Sequence, residues 1–473
     1  MEIVGRQREQ ELLATCLESP RPEFVAVYGR RRVGKTFLVR EFFKNRFAFY
    51  ASGVAGAKTR GQLKSFHESL REVGCSERAL PRDWFEAFAR LRRVLEDQNA
   101  IREPGSGKLV VFLDELPWMD TPRSDFRAAF DRFWNMWASA RPDLLLIVCG
   151  SATSWMIDNL IDDHGGFYNR VTVQIALAPF TLRECEELLS RARTNMTRRQ
   201  VMECYMVFGG IPYYLNLIDR KYSLAQNIDQ LCFSQTGQLR FEFDRLYQSL
   251  FRHSDRHVAI VRALVRKSGG LLRTELAAID GIGDGQPLTR ALRELEQCGF
   301  VRKYRDFTKA NSGHIYQLID PFTLFHLRFL DNESVGSWIA YHGTPAHAAW
   351  RGYAFELVCL LHVEQIKRAL GIWGIETREM AWRAKKDPRV QIDLLIDRRD
   401  DVISVCEMKF ARGPFAIGED YAAALTAKLD AFTREAKPRK SLHLTMITAE
   451  GVARNAYYDV VQREIIADDL FAD

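Results

Sequence analysis

The chain has 473 residues, which at about 100–200 residues per domain predicts roughly three domains. Hydrophobic residues make up 47% and charged residues 27%, ordinary globular proportions that exclude a mostly disordered chain. The formal net charge of +6, spread over this length, permits contact with nucleic acid without arguing for it.

The first ~180 residues alternate short apolar runs with amphipathic stretches such as Lys35–Lys44 and Trp84–Asp97. The runs are 24–29, 48–52, 109–115, 144–151 and 171–177. Each is apolar on both parities, which predicts strands with both faces buried, in a parallel sheet between helical layers. Between the first run and its helix, residues 29–36 read Gly-Arg-Arg-Arg-Val-Gly-Lys-Thr, a full GxxxxGK[ST] match in strand–loop–helix context. Glycines at both ends let the loop turn its N–H groups around a phosphate, and the helix N-terminus adds positive potential. Gly29, Arg30, Arg31, Arg32, Val33, Gly34, Lys35 and Thr36, with Phe37 after them, are the candidate nucleotide-binding residues, and ATP is the expected ligand. Lys35 should reach the β- and γ-phosphates and Thr36 should ligate Mg²⁺; the three arginines are expected in packing and partner contacts.

The third run ends in Leu113-Asp114-Glu115, at the carboxyl edge where open α/β sheets bind ligands. Asp114 is the expected partner of Mg²⁺, and Glu115 is placed to orient or deprotonate the attacking water. The fourth run ends in Gly150-Ser151, where Ser151 could hydrogen-bond the water or the γ-phosphate. Arg170, just before the fifth run, is a candidate for stabilising charge on the transferring phosphoryl, in cis or across a subunit interface.

Residues 181–253 read as helices broken by Gly-Gly-Ile-Pro at 209–212. Residues 254–335 read as three helices (257–267, 272–279 and 288–297) closed by a hairpin (301–306 and 314–319), the plan of a winged helix. Its net charge is +2 over 255–335, with Arg290, Arg293, Arg302 and Lys303 as candidate phosphate contacts. His253 and His257 read as ordinary surface residues. Residues 331–348 are a linker candidate.

The rest reads as a second α/β unit: a helix (354–370), strands at 390–397 and 403–410 joined by a charged turn, a helix near 421–436 and a strand at 443–448. Asp393, Glu407 and Lys409 interrupt otherwise apolar strands, and a charge there is costly unless paired or metal-bound. Glu407 and Lys409, two apart, point to one face. If Asp397 pairs Ile403 across a five-residue loop, Asp393 faces Glu407; a four-residue loop would turn it away. Lys428, on the following helix, is a further candidate for phosphate contact.

No apolar run approaches the ~18–20 residues of a membrane span, and the start MEIVGRQREQE predicts no signal peptide. The nine cysteines form no CxxC pair, as expected of reduced thiols in a cytoplasm.

Taken together, VGRQREQELL, YGRRRVGKT, FLDELPW, the Gly150-Ser151 strand end, the YNR-strand-APF segment and GGIP resemble prokaryotic AAA+/STAND-related P-loop ATPases. The domain order is similar to the branch with a winged helix and a C-terminal PD-(D/E)XK nuclease-like domain. The resemblance implies an α/β fold: a P-loop NTPase core with a parallel sheet (1–180), a helical lid (181–253), a winged helix (254–335) and a restriction-endonuclease-like α/β domain (336–473). It implies Val4 and Gly5 near the adenine, and Pro212 of GGIP leaning on the base; no lid arginine stands out. Glu356, Asp393, Glu407 and Lys409 resemble the nuclease core, with Ile392 where the family proline stands. That implies Glu356, Asp393 and Glu407 as metal ligands and Glu407 and Lys409 as catalytic residues. The expected function is Mg²⁺-dependent ATP hydrolysis coupled to action on nucleic acid, DNA foremost, in a possible homo-oligomer. The alternatives are a nucleotide switch with an inactive nuclease-like domain, or a protein-interaction regulator.

Overall fold

The computed structural model describes residues 2–162, 169–251, 254–308, 313–331, 336–384 and 390–472. His253, residues 165–168 of the YNR segment and part of the 331–348 linker lie outside them. The chain divides into two compact units, Met1–Ala178 and Pro179–Asp473.

The first unit is built on a parallel sheet of β1 (Glu23–Tyr28), β2 (Phe49–Ser52), β3 (Leu109–Asp114), β4 (Leu144–Gly150) and β5 (Val173–Ala176), in the order β2-β3-β4-β1-β5. β3 and β4 are buried at every residue, as their unbroken apolar sequence requires. The edge strands depart from the expectation of two buried faces. In β2 only Phe49 and Ala51 are buried, and in β5 only Ile175, because an edge strand has less cover. One core packs Phe24, Phe49 and Leu146 against Phe66, Trp84, Phe88, Phe126 and Phe130 of the flanking helices. Each such ring contributes about 1.5–3 kcal/mol by burial. The helix Trp84–Glu96 is started by Asp83, whose carboxylate accepts the Glu86 N–H at 2.8 Å.

The second unit opens with helices Leu182–Arg191 and Arg198–Phe208, each begun by a capping box, Thr181/Glu184 and Thr197/Gln200. The double glycine that follows has a packing reason. The Phe180 N–H donates to the Gly210 carbonyl at 2.6 Å, and a Cβ on Gly210 would stand 1.9 Å from the Phe180 carbonyl oxygen. The APF and GGIP motifs therefore meet backbone to backbone.

Next come helices Ser254–Val265, Arg273–Ala277 and Gln286–Gln297, with β6 (Leu271–Leu272), β7 (Val301–Arg305) and β8 (His314–Leu318) in the antiparallel order β6-β8-β7. The five-stranded sheet that closes the chain has β9 (Thr377–Arg383), β10 (Gln391–Arg398), β11 (Val402–Lys409), β12 (Ser441–Thr448) and β13 (Arg463–Ile466), ordered β13-β12-β11-β10-β9. β9, β10 and β11 are antiparallel neighbours; β11, β12 and β13 run parallel. The helix Glu419–Ala436 makes the crossover from β11 to β12 that parallel pairing demands. The two sheets are joined at their edges: Asp306 bridges Ala381, and the Phe307 N–H donates to the Ala381 carbonyl at 2.9 Å. His257 is buried rather than on the surface, stacked on Phe251 and 2.8 Å from Glu294.

Candidate functional site

β1 delivers the chain to Gly29, whose φ of +146° suits only glycine, and where a Cβ would stand 2.3 Å from the Leu177 carbonyl oxygen. Arg32 (φ +72°) and Gly34 (φ +94°) complete the wrap into the helix Lys35–Phe42. Lys35 lies buried inside the loop, its Nζ donating to the Gly29 and Arg30 carbonyls at 2.9 and 3.0 Å. Arg30 and Val33 are buried, whereas Arg31 and Phe37 are exposed. The N-terminal segment is tied to this loop. Arg6, after the buried Val4 and the half-buried Gly5, donates to the carbonyls of Ala178 at 2.6 Å and Val33 at 3.5 Å.

β3 is not the neighbour of β1; β4 lies between them. Asp114 at the end of β3 reaches across, and the Thr36 hydroxyl lies 3.0 Å from both of its carboxylate oxygens. Burial, with Glu115 next door, raises the Asp114 carboxyl above its usual range, opposed by hydrogen bonds from Cys149 and Thr36. Such a carboxylate gains most from a cation, and this all-oxygen pair fits Mg²⁺. Cys149 is a contact that sequence reading missed, since nothing in an apolar run singles it out.

Glu115 takes a left-handed turn (φ +46°) as the strand ends. Its Oε2 accepts the Ser151 hydroxyl at 2.8 Å and the Ser151 N–H at 3.2 Å. The tips of β3 and β4 thus join through a carboxylate–hydroxyl pair. Gly150 allows this: a Cβ there would meet Pro117 at 2.7 Å and Met156 at 2.8 Å. Ser151→Ala should lower kcat for ATP hydrolysis about tenfold with little change in KM, the result expected of a hydroxyl whose contact is with Glu115. Steady-state phosphate release checks it, and a rise in KM alone would contradict it.

Arg170, a candidate for acting in cis or across a subunit interface, is not brought to this site by its own chain. β5 runs parallel to β1, with Val173 opposite Val25 and Ala176 opposite Tyr28. Arg170 therefore precedes the sheet at its amino edge, and at about 3.3 Å per residue β1 alone separates it from the phosphate loop by more than ~13 Å. It is exposed there. Pro212 opens the short helix Pro212–Leu215 of the second unit.

In the second unit the register places Asp397 opposite Ile403 and Leu394 opposite Cys406. Carried one step further, it sets Asp393 opposite Glu407. Glu407 accepts the Tyr421 hydroxyl at 2.7 Å and the Lys428 ammonium at 2.6 Å, and Lys409 stands 3.1 Å away. Tyr421 was not anticipated, since no spacing links it to β11. Burial works against the Glu407 carboxylate, but Lys428 and Lys409 hold its pKa below the usual range. Glu356, on the helix Pro345–Leu361, is pushed up to about 8 by burial and by Asp393, against the pull of Lys409. Asp393 is raised by burial, with Lys428 opposing.

Among the described residues no three acidic, histidine or cysteine side chains gather at metal-ligand spacing. Glu407 is engaged by the Lys428 ammonium and the Tyr421 hydroxyl, with Lys409 beside it.

Glu356 predicts a pH dependence. Its folded pKa of about 8 exceeds the ordinary 4.5, so the folded chain keeps a proton that the unfolded chain releases. Its contribution to stability is complete below about 4.5 and is lost as pH rises toward 8. Glu356→Gln should remove that slope and be more stable than wild type at the alkaline end by about 1–3 kcal/mol. Denaturant unfolding across this range tests it; parallel slopes would refute it.

One candidate phosphate contact on the β7–β8 hairpin is also corrected. Arg302 turns inward, donating to Gln317 at 2.7 Å and to the Asp393 carbonyl at 3.0 Å, and it lies over the Tyr304 ring. It is not available to a phosphate. Arg290, Arg293 and Lys303 are exposed.

Residues 3–218 match the family described as an ATPase domain predominantly from Archaea. The protein is a P-loop ATPase. The ATPase is 25% identical over 331 residues to an uncharacterized protein of Methanocaldococcus jannaschii, covering 69% of each chain. A 44-residue stretch is 39% identical to an uncharacterized ATP-binding protein of the same organism, covering 9% of this chain and 75% of that one. Among solved structures it is similar to a Walker-type ATPase of Pyrococcus abyssi (TM-score 0.49, 21% identity, 69% of this chain and 96% of that one). It is also similar to the ORC2 protein of Aeropyrum pernix in its ADPNP-ADP complexes (TM-score 0.45, 16% identity, 70% and 94%). Among the described residues of the ATPase, no helix is long and apolar enough to cross a membrane.

Proposed function

We propose that this ATPase is Mg²⁺-dependent and cytoplasmic, and acts on nucleic acid, DNA foremost. In this reading 181–253 is a helical lid, 254–335 a winged helix and 336–473 a restriction-endonuclease-like domain. Thr36 and Asp114 would hold Mg²⁺, which supplies charge neutralisation at the phosphates. Lys35 binds the phosphates, Glu115 orients the attacking water, and Ser151 aims Glu115. Arg170, at the amino edge of its own sheet, serves a neighbouring copy in a homo-oligomer. Pro212 rests on the GGIP resemblance alone.

The observation that carries the nucleic-acid reading is the clustering of Asp393, Glu407 and Lys409 near Glu356, on strands otherwise apolar. Charged groups persist in such a place where they are paired or do chemistry. Incubating plasmid and linear DNA with Mg²⁺ or Mn²⁺, with and without ATP, tests whether the cluster cuts.

A second reading has its own support: a nucleotide-dependent switch whose nuclease-like domain binds without cutting. The contacts of Lys428 and Tyr421 with Glu407 satisfy that carboxylate internally and favour it. A salt-dependent gel shift without cleavage under any condition selects this reading. Neither shift nor cleavage leaves a protein-interaction regulator.

A further inference from the structure

Beside the acid–lysine cluster, a second charged group surrounds one aromatic ring. Phe410 directly follows Lys409 and packs against Phe355, the neighbour of Glu356, with ring centroids 5.1 Å apart. Two guanidinium groups lie over Phe410: Arg351, 4.6 Å from its centroid, and Arg199, at 5.4 Å. They come from different helices, Pro345–Leu361 and Arg198–Phe208. Both address the same oxygen of Glu203, at 3.5 and 3.6 Å, and Arg199 also pairs with Glu450. Arg412, exposed on the loop after β11, acts on Arg351 as a like charge, as Arg199 does.

Arg199 and Arg351 thus share two carboxylates, and Arg412 brings a third positive charge close to Arg351. The deficit also shows in hydrogen bonding. Arg199 Nη2 and Arg351 Nε are buried with no partner among the described residues. Arginine is the residue whose planar donors suit phosphate oxygens, and an anion arriving here would satisfy both the charge and the open donors.

We propose that Arg199, Arg351 and Arg412, ranged around Phe410, form a phosphate-binding rim that holds the phosphodiester backbone of a nucleic acid beside Glu356, Asp393, Glu407 and Lys409. This rests on the nucleic-acid reading above and adds where the strand lies. Phe410 keeps the two guanidinium groups apart and aimed. The Phe355–Phe410 contact lies one residue along the chain from Glu356 and from Lys409, so the rim and the acids share the same helix and the same strand end.

The test is fluorescence anisotropy of the full chain with a labelled DNA duplex and, separately, a labelled RNA strand, in EDTA so that cleavage plays no part. Arg351→Gln and Arg412→Ala are each expected to weaken binding about fivefold or more and to reduce the slope of log affinity against log salt by about one. Arg412 is exposed, so its variant reports even if Arg351→Gln fails to fold. Arg399→Ala, at the far end of β11, removes the same charge and should leave affinity near wild type. Variants at 351 and 412 that match Arg399→Ala in affinity and slope would overturn the rim while the parent reading stands. A wild-type chain that binds neither probe would overturn both. Loss confined to one probe identifies DNA or RNA as the source of the backbone.

Discussion

Lys35→Ala is expected to abolish ATP hydrolysis, lowering turnover by at least about a hundredfold. The Lys35 ammonium rests on the Gly29 and Arg30 carbonyls, in the hollow of the phosphate loop. An entering phosphate exchanges those neutral acceptors for a charged one, so the side chain binds more strongly as negative charge builds on the γ-phosphate. Phosphate release in the presence of Mg²⁺ is the measurement. The truncation also removes the donor from two loop carbonyls, a stability cost of about 1–3 kcal/mol. Thermal melting beside the assay therefore separates a misfolded variant from an inactive one. A folded variant with unchanged turnover would sink the assignment of this loop as the catalytic phosphate site.

Glu407→Ala and Lys409→Ala are expected to eliminate metal-stimulated cleavage of DNA, a loss of about a thousandfold or more if the domain cuts. The two differ in stability. Removing Glu407 leaves Lys409 and Lys428 facing each other and takes the acceptor from the Tyr421 hydroxyl, a penalty of about 3–5 kcal/mol for breaking a buried pair. Lys409 is about one-third exposed, so its loss should cost far less. Lys409→Ala is thus the cleaner catalytic test. Plasmid nicking with Mn²⁺ reads both variants. Cleavage that survives in a folded Lys409→Ala chain would remove this residue from the chemistry, and a wild type that never cuts selects the switch.

Much of this was legible in the sequence, for identifiable reasons. The buried strands of the first unit are continuous apolar runs, and the phosphate loop has glycines where φ is positive. Alternation reduced the β10–β11 pairing to a choice of loop length, and the register with Asp397 opposite Ile403 decides it in favour of Asp393 facing Glu407. Three kinds of feature were not legible. β9 (TREMAWR) mixes charged with apolar residues and β13 is only four residues long, so no period of two stands out. Tyr421 and Cys149 gain their roles from tertiary contacts that leave no mark in local pattern. Arg302 reads as a solvent-facing wing cation; only the neighbouring sheet reveals that it is an internal strut. Arg170 is a different case. Its position before a parallel strand already implied the amino edge, but its residue type suggested the phosphate.

The edge-to-edge junction of the two sheets has a mechanical meaning. Asp306 is bridged to Ala381, Arg302 grips the Asp393 carbonyl, and Arg383 donates to the Gly269 and Gly270 carbonyls. These ties cross between the three-stranded and five-stranded sheets at several heights, so no free pivot separates them. A load applied to the helix Gln286–Gln297 would therefore pass through these ties into the sheet that carries Asp393.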